Sequence, residues 1–275
     1  MLQLIVLKLL NIKLVWTAHN LRRHEGGFED IEMRYTRYLA KMSDAVIVHC
    51  NSAKHEIERA LRIKRPEKVN VISHGHFRDP YPNNIERSLA EKKIGFKTSK
   101  PTFLFLGEIR YYKGIIELID AYEDLNDHHS RLLVAGRPHD QVIENEVTQK
   151  CKLNKKIICR TGFVPDEELQ IYINASDVMV FPYRKIFTSG GIFLALSFGK
   201  PIVAPRIGCI KDNLDTKGSF LYNPEDSRGL SNALKTAMRF KEKWETMGRH
   251  NLQLAQDLSW DEIAMATSRL YNGIH

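Results

Sequence analysis

The sequence predicts an α/β protein built from two parallel-sheet domains, and two observations support this prediction. Short runs of β-branched and aliphatic residues alternate with amphipathic helical segments along most of the 275-residue chain. A polar, proline-containing stretch at 79–101 separates three such strand runs from six later ones. With 43% hydrophobic residues, the chain is long enough to bury a core in each part.

The first part contains three predicted strands, and each ends in polar residues. They are LVWTAH (14–19), AVIVHC (45–50) and VNVISH (69–74). Helical spacing in IEMRYTRYLAKMS and SAKHEIERALR places helices between them. The opening MLQLIVLKLLNIK has no basic start and no small-residue cleavage site, so we interpret it as an amphipathic core helix rather than a signal peptide, with a membrane-surface helix as the alternative.

The second part contains six predicted strands with helices between them. They are PTFLFLG (101–107), SRLLVAG (130–136), KIICRTG (156–162), DVMVFPY (177–183), PIVAP (201–205) and GSFLYN (218–223). This number makes a complete doubly wound domain, whereas three strands make a truncated one. We therefore expect a partial domain at 1–90, a complete domain at 91–255 and a helix at 256–275 that packs back on the first part.

Charge and cysteine spacing limit the class of protein. Forty-one Lys and Arg against 33 Asp and Glu give a formal net charge of +8, which favours anionic partners. Cysteines at 50, 151, 159 and 209 form no CxxC pattern, so we expect reduced thiols, no disulfide and no zinc site. The two histidines of HGHF (74–77) have no carboxylate partner nearby, so no metal site is expected there either.

Three motifs that could bind a ligand or take part in catalysis follow predicted strands, which is where such folds bind ligands. GEIRYYKG (107–114) places Arg110 and Lys113 before a helix, which suits a diphosphate, although two solvated basic residues are the alternative. FTSGGIFLALSFGKP (187–201) brings hydroxyls and backbone amides to a helix start, although a tight turn explains its glycines equally well. In TAHN (17–20), His19 is a candidate base or hydrogen-bond donor, or a structural residue.

Together, five segments resemble a known family. LFLGEIRYYKGIIELIDAY, LLVAGRP, TGFVPDEELQIYINASDVMVFPY, TSGGIFLALSFGKPIVAP and LSWDEIAMATSRLY look like the donor-binding half of the retaining group 1 (family 4) glycosyltransferases of the GT-B fold. The resemblance covers about residues 14 to 275. It implies transfer of a sugar from a nucleotide-diphosphate sugar to an acceptor hydroxyl, with retained anomeric configuration, in polysaccharide or glycoconjugate synthesis.

The resemblance also implies site residues. The catalytic candidates are His19, Arg110 and Lys113, and the donor-binding candidates are Gly107, Gly162, Phe163, Val164, Tyr183, Arg184, Thr188, Ser189 and Gly190. Glu108 stands where the family usually has an arginine. The two glutamates common in the family fall at Ile186 and Leu194, so the contacts to ribose and sugar are either lost or made by other residues. The polar residues nearby are Tyr183, Arg184, Lys185 and Thr188.

The implied partners are the nucleotide-sugar donor and a sugar or lipid-linked acceptor, with no cofactor beyond the donor, no metal and no nucleic acid. We expect a cytoplasmic protein, with peripheral contact to the cytoplasmic face of a membrane through basic segments such as 22–37, although a solvated basic face is the alternative explanation of these segments. Because the first domain is expected to be incomplete, we also expect weak or partner-dependent transfer, with a second copy or another subunit completing it.

Two other classes of protein fit the sequence less well. A basic α/β module that binds nucleotides or nucleic acid remains the alternative, although the chain has no recognisable reader motif and no interleaved arginines and aromatics. A dinucleotide-dependent dehydrogenase is disfavoured, because no GxGxxG follows any predicted strand.

Overall fold

The first sheet has three parallel strands in the order β1-β2-β3 in the computed structural model, which describes residues 2–21 and 29–274. The strands are β1 (Val15–Thr17), β2 (Ala45–Val48) and β3 (Val69–Val71). Val15 pairs with Ala45, and Val46 pairs with Val69. All four residues of β2 are buried, as expected for the central strand of a parallel sheet with both faces covered.

The second sheet has six parallel strands in the order β6-β5-β4-β7-β8-β9. Its strands are β4 (Thr102–Leu106), β5 (Arg131–Gly136), β6 (Ile157–Thr161), β7 (Val178–Val180), β8 (Ile202–Pro205) and β9 (Ser219–Tyr222). The order reverses between β4 and β7, so the segments that leave these two strands diverge and open a crevice at their carboxyl ends. All nine strands lie where the sequence predicts them, and the α/β prediction with two parallel sheets is confirmed.

Helices connect the strands in both parts. The bounds in the first part are α1 (Leu2–Leu9), α2 (Glu29–Met42) and α3 (Asn51–Leu61). After β3 follow α4 (Arg87–Ile94), α5 (Ile115–Glu123), α6 (Gln141–Leu153), α7 (Leu169–Asn174), α8 (Gly190–Ser197), α9 (Ile210–Asn213), α10 (Gly229–Arg239), α11 (Trp244–Gln256) and α12 (Trp260–Asn272). The polar stretch at 79–101 contains α4, whose Ala90 and Ile94 are buried in the core of the second sheet.

The interpretation of the opening segment as a core helix is wrong. α1 forms, but Ile5, Val6 and Leu9 are 42%, 45% and 81% exposed, and Leu10 after the helix is 65% exposed. The physical reason is that the helix has apolar residues on all its sides, whereas the neighbouring helix α2 covers one of these sides. Lys8 anchors the helix through an ion pair with Asp44 at 2.5 Å.

The expectation of four reduced cysteines is also wrong. Cys50 and Cys209 form a disulfide across 159 residues of sequence, and Cys151 and Cys159 are free thiols. Cys50 precedes α3 and Cys209 precedes α9, so the bond joins the first sheet's helical layer to the second part of the chain. Spacing alone could not reveal it, because the fold brings these two segments together.

The same junction carries noncovalent contacts. Ser52 donates to the Asp212 carboxylate through its backbone N–H at 2.7 Å and its hydroxyl at 2.8 Å. Phe187 is buried in the core of the first sheet, although it lies in the second part of the sequence. At the C-terminal end, Trp260 at the start of α12 donates its indole N–H to the His76 carbonyl at 2.8 Å.

Candidate donor-binding cleft

A glycine ends or directly follows each of three adjacent strands of the second sheet. Gly107, Gly136 and Gly162 have φ values of 141°, 141° and 142°, in a backbone region that residues with a side chain rarely adopt. A Cβ on Gly136 would lie 1.8 Å from the Gly107 carbonyl oxygen, so only glycine allows these two strand ends to approach. The absence of side chains at the three strand ends keeps the crevice open for a ligand.

The crevice is a cleft of about 590 Å³ at the reversal between β4 and β7. One wall comes from the segment after β4, and the facing wall comes from the turn into α8 after β7. The lining residues predicted from the sequence are Gly107, Lys113, Phe163, Val164, Tyr183, Thr188, Ser189 and Gly190. From the first part of the chain, Asn20 also lines the cleft.

Lys113 supplies positive charge to the cleft. Its Nζ lies 3.6 Å from the position that a Cβ on Gly107 would occupy, so the ammonium group covers the bare strand end. Burial lowers the pKa of Lys113, an effect that nearby Glu108 opposes and nearby Arg110 reinforces. A half-buried ammonium group gains more from an anionic ligand than an exposed one does, because less water screens it.

Arg110 already has a hydrogen-bond partner within the protein. Its guanidinium donates to Glu108 Oε1 at 2.9 Å, and this hydrogen bond lowers the pKa of Glu108, which therefore stays ionised at neutral pH. Arg110 is not among the residues that line the cleft, whereas Glu108 and Lys113 are. The geometry therefore brings Lys113, rather than the arginine, into the cleft.

The start of α8 forms the facing wall. Ser189 precedes the helix but makes no side-chain hydrogen bond to its first amides. Instead, the Ser189 hydroxyl is 3.0 Å from the hydroxyl of Tyr183, whose pKa burial raises, so this phenol stays neutral. Thr188 Oγ1 is buried and has no hydrogen-bond partner. Amides at a helix N-terminus together with a buried, unpaired hydroxyl suit an anionic or hydroxylated ligand.

A third side of the cleft is apolar. Phe163, 75% exposed, and Val164 follow Gly162 and line the cleft beside Leu106. An exposed ring at the edge of a polar cleft can stack on a flat heterocycle. Ile186 and Leu194, the positions at which the family resemblance expects two glutamates, also line the cleft.

Besides Arg110, three predicted residues lie outside the cleft lining. The Arg184 guanidinium forms an ion pair with Glu117 on α5, which directs it away from the cleft. Gly162 contributes its backbone turn, while its neighbours Phe163 and Val164 provide the contacts. His19 is exposed directly before Asn20, and its ring nitrogen contacts His49.

His49 is not among the site residues predicted from the sequence. His74 was considered for a metal site, which the sequence does not favour. The sequence shows that each of the three strands ends in polar residues, but no spacing rule links residues 19, 49 and 74. The parallel topology does, because it brings the carboxyl ends of β1, β2 and β3 to one edge. The described residues contain no group of three or more His, Cys, Asp and Glu able to hold a metal ion.

In the described ranges, no helix has both the length and the apolar character needed to cross a bilayer. The basic segment 22–37 is described only in part, because residues 22–28 lie outside the described residues.

The fold and the cleft define an α/β protein with two parallel sheets and a ligand-sized crevice at the carboxyl ends of β4 and β7. The model of the family described as glycosyl transferases group 1 matches residues 100–239, and that of glycosyltransferase family 4 matches residues 1–76. The chain therefore belongs to the group 1 glycosyltransferase family.

Known relatives are similar to this chain over much of its length. A GDP-mannose:glycolipid 4-beta-D-mannosyltransferase of Xanthomonas campestris is 28% identical over 248 residues, which cover 86% of this chain and 64% of that protein. The D-rhamnosyltransferase WbpZ of Pseudomonas aeruginosa is 27% identical, with 67% of this chain and 48% of WbpZ covered. The chain thus spans less than two thirds of the length of these relatives.

Solved structures share the fold at low sequence identity. Anabaena HepE, solved with UDP and glucose, superposes with a TM-score of 0.84 at 18% identity and covers 98% of this chain and 74% of its own. Sucrose-phosphate synthase of Thermosynechococcus elongatus gives a TM-score of 0.81 at 20% identity, with 98% and 70% covered. The fold is therefore of the GT-B type.

Proposed function

We propose that this chain binds a nucleotide-diphosphate sugar and transfers its sugar to an acceptor hydroxyl. The observation that carries the proposal is the pairing across the cleft of Lys113 with the uncapped start of α8. A diphosphate between these walls would meet a half-buried ammonium group, backbone amides and the unpaired Thr188 hydroxyl. Phe163 offers a stacking surface for the base.

The same groups would assist the bond-breaking step. Departure of a nucleoside diphosphate increases negative charge on its terminal phosphate, and preorganised donors stabilise that charge most in the transition state. Lys113 and Arg137 are the cations among the described residues that line the cleft, and Lys113 is the one that the sequence predicts for this role. Arg110 is proposed to act indirectly, by holding the Glu108 carboxylate.

Donor and acceptor candidates come from the names of relatives. The Xanthomonas proteins are named for GDP-mannose and a glycolipid, and HepE was solved with UDP-glucose. We therefore propose GDP-mannose and UDP-glucose as the first donors to test, with a saccharide or lipid-linked hydroxyl as acceptor in polysaccharide or glycoconjugate synthesis. A cytoplasmic location with peripheral membrane contact suits such an acceptor and remains part of the proposal.

Two finer points have their own tests. The family resemblance implies retained anomeric configuration, whereas the names of the Xanthomonas relatives specify a β-linked product, so the product configuration has to be measured. Transfer that is weak or requires a partner remains a prediction. It is tested by comparing the turnover of the purified chain across concentrations at which self-association is monitored by light scattering.

The proposal is tested by calorimetric titration with GDP, UDP and ADP. We expect one of them to bind in a 1:1 complex, and Lys113→Ala to weaken that complex by roughly 10- to 100-fold, because a hydrogen bond to a charged group contributes about 1.5–3 kcal/mol. Lys155→Ala, at an exposed lysine outside the cleft, is the matched control and should bind as the wild type does. Unchanged affinity in Lys113→Ala would remove the lysine from the site.

A further inference from the structure

The proposed function uses one of the two cations that line the donor-binding cleft among the described residues. The ammonium group of Lys113 covers Gly107 after β4, whereas Arg137 directly follows Gly136, the last residue of β5. Arg137 is exposed, and within the described ranges its side chain has no hydrogen-bond or ion-pair partner. Its guanidinium group is therefore available to a ligand in the cleft.

The backbone of Arg137 is held firmly although its side chain is exposed. The Ile109 N–H donates to the Arg137 carbonyl at 2.8 Å, and the His139 N–H donates to the Ile109 carbonyl at 3.0 Å. Ile109 also pairs with Pro138 in a parallel bridge. These contacts extend the pairing of β4 and β5 beyond the two strands. A fixed backbone leaves less freedom to lose when the side chain binds a ligand.

The strand ends arrange the groups of the cleft in a row. The strands β7, β4, β5 and β6 are neighbours in that order, about 4.8 Å apart. The start of α8 follows β7, Lys113 covers the end of β4, Arg137 follows β5, and Phe163 follows Gly162 after β6. The Gly162 N–H donates to the Gly136 carbonyl at 3.0 Å and joins the last two loops. Arg137 therefore lies between the groups proposed for the diphosphate and the ring proposed for the base.

The charge of Arg137 is separate from the charged groups after β4. The hydrogen bond from Arg110 and the charges of Lys113 and His139 lower the pKa of Glu108, and Arg137 is not among these groups. Burial lowers the pKa of Lys113, and the charges that also act on it are those of Glu108 and Arg110. This separation fits a guanidinium group on the Phe163 side of the cleft.

A guanidinium group at the edge of a stacked base favours guanine. Guanine presents two adjacent acceptors, O6 and N7, and the planar fork of arginine donates to both. Adenine presents N7 beside an amino donor, and uracil, like thymine, presents the O4 acceptor alone on that edge. Stacking on Phe163 does not select a base, because every base has a π-face. Selection of the base therefore falls to Arg137.

We propose that Arg137 selects guanine, so that the donor of this chain is a guanosine-diphosphate sugar. This inference rests on the proposed function and narrows it to one class of donor. The guanidinium group donates to O6 and N7, Phe163 covers one face of the base, and Lys113 meets the diphosphate. Arg137 is thus a specificity-determining residue.

Calorimetric titration of the full chain with GDP, UDP and ADP tests the choice of base. GDP should bind most tightly to the wild type. Arg137→Ala should weaken GDP binding by about 10- to 100-fold and leave UDP binding nearly unchanged, because it removes a bidentate contact that guanine alone makes. Unchanged UDP binding also shows that the variant is folded. Arg228→Ala, at an exposed arginine outside the cleft lining, is the matched control and should bind each nucleotide as the wild type does.

Two further measurements separate a contact with the base from a contact with phosphate. Arg137→Lys keeps the charge but loses the fork, so it should bind GDP almost as weakly as Arg137→Ala does. The analogue 7-deaza-GDP lacks the N7 acceptor and should bind about tenfold more weakly than GDP to the wild type. Arg137→Ala should bind both nucleotides equally, which shows that the arginine and N7 are coupled.

The outcomes distinguish this inference from the proposed function. Tighter binding of UDP or ADP than of GDP to the wild type would overturn the role of Arg137 and leave the proposed function standing. Equal weakening of GDP and UDP in Arg137→Ala, or equal affinity of the wild type for GDP and 7-deaza-GDP, would do the same. A wild-type chain that binds none of the nucleotides would overturn the proposed function, and guanine selection with it.

Discussion

At the scale of single residues, the cleft separates two cations that look equivalent in the sequence. Arg110 and Lys113 precede the same helix, but the Arg110 guanidinium pairs with Glu108, while the Lys113 ammonium group covers Gly107. Such a difference depends on side-chain direction, which spacing does not specify. The sequence therefore identified the loop that lines the cleft but could not show which of its two cations faces it.

The pKa of Lys113 leads to a prediction about pH. Because burial lowers this pKa, the ammonium group loses its proton at a lower pH than an exposed lysine does. Nucleoside diphosphate affinity should therefore fall as the pH rises, beginning below the ordinary titration range of lysine. Calorimetry at several alkaline pH values measures this, and the same pH dependence in Lys113→Ala would show that another group is responsible.

Replacement of Glu108 by glutamine should strengthen binding of the diphosphate. The carboxylate stays ionised through its bond with Arg110 and faces the same cleft as Lys113, so it repels an incoming anion. We expect Glu108→Gln to raise affinity for the nucleoside diphosphate several-fold, by about 1 kcal/mol. Glu225→Gln, at an exposed loop position, is the control. Weaker binding in Glu108→Gln would indicate that Arg110 needs its partner to shape the site.

At the scale of elements, strand positions were the most predictable feature. The buried parallel strands are largely apolar runs, and polar residues or glycine mark their carboxyl ends, as in β2 and β5. The position of α1 was less predictable. Its sequence predicts a helix but contains no information about how many neighbours cover it, and the structure exposes Leu9.

The glycines after β5 and β6 allow a matched comparison. Gly136 and Gly162 share nearly the same φ, but a Cβ on Gly136 would meet the Gly107 carbonyl at 1.8 Å, whereas a Cβ on Gly162 would have no atom within 4 Å. Gly162→Ala should cost about 1–3 kcal/mol of unfolding free energy from backbone strain alone. Gly136→Ala should cost clearly more in urea titrations, and equal losses would contradict this packing.

The disulfide at the junction of the two parts of the chain leads to a prediction about the free energy of unfolding. Closing a loop that spans 159 residues of sequence restricts the unfolded chain, so reduction should lower the unfolding free energy by about 3–5 kcal/mol. Cys209→Ser should be similarly destabilised and should not respond further to dithiothreitol. Cys159→Ser, which leaves the bond intact, is the control.

Thiol titration of the denatured, unreduced chain tests the bond independently of stability. It should find Cys151 and Cys159 free and Cys50 and Cys209 blocked. Four reactive thiols would contradict the disulfide. The same measurement decides between this structure and the reduced state that cysteine spacing predicts.

At the scale of the whole molecule, topology explains what the sequence could not show. The reversal of strand order between β4 and β7 brings Lys113 opposite Thr188, although they are far apart in the chain. The parallel order of the first sheet assembles His19, His49 and His74 in the same way. Local patterns identify each segment, but the convergence of segments on one edge appears only in three dimensions.

The central claim is that the cleft between the end of β4 and the start of α8 binds a nucleoside diphosphate. Calorimetric titration of the wild-type chain, Lys113→Ala and Lys155→Ala with GDP and UDP tests it most directly. The structure predicts a 1:1 complex with one of these nucleotides that is weakened roughly 10- to 100-fold in Lys113→Ala and unchanged in Lys155→Ala. Failure of the wild type to bind either nucleotide, or equal weakening in both variants, would contradict the claim.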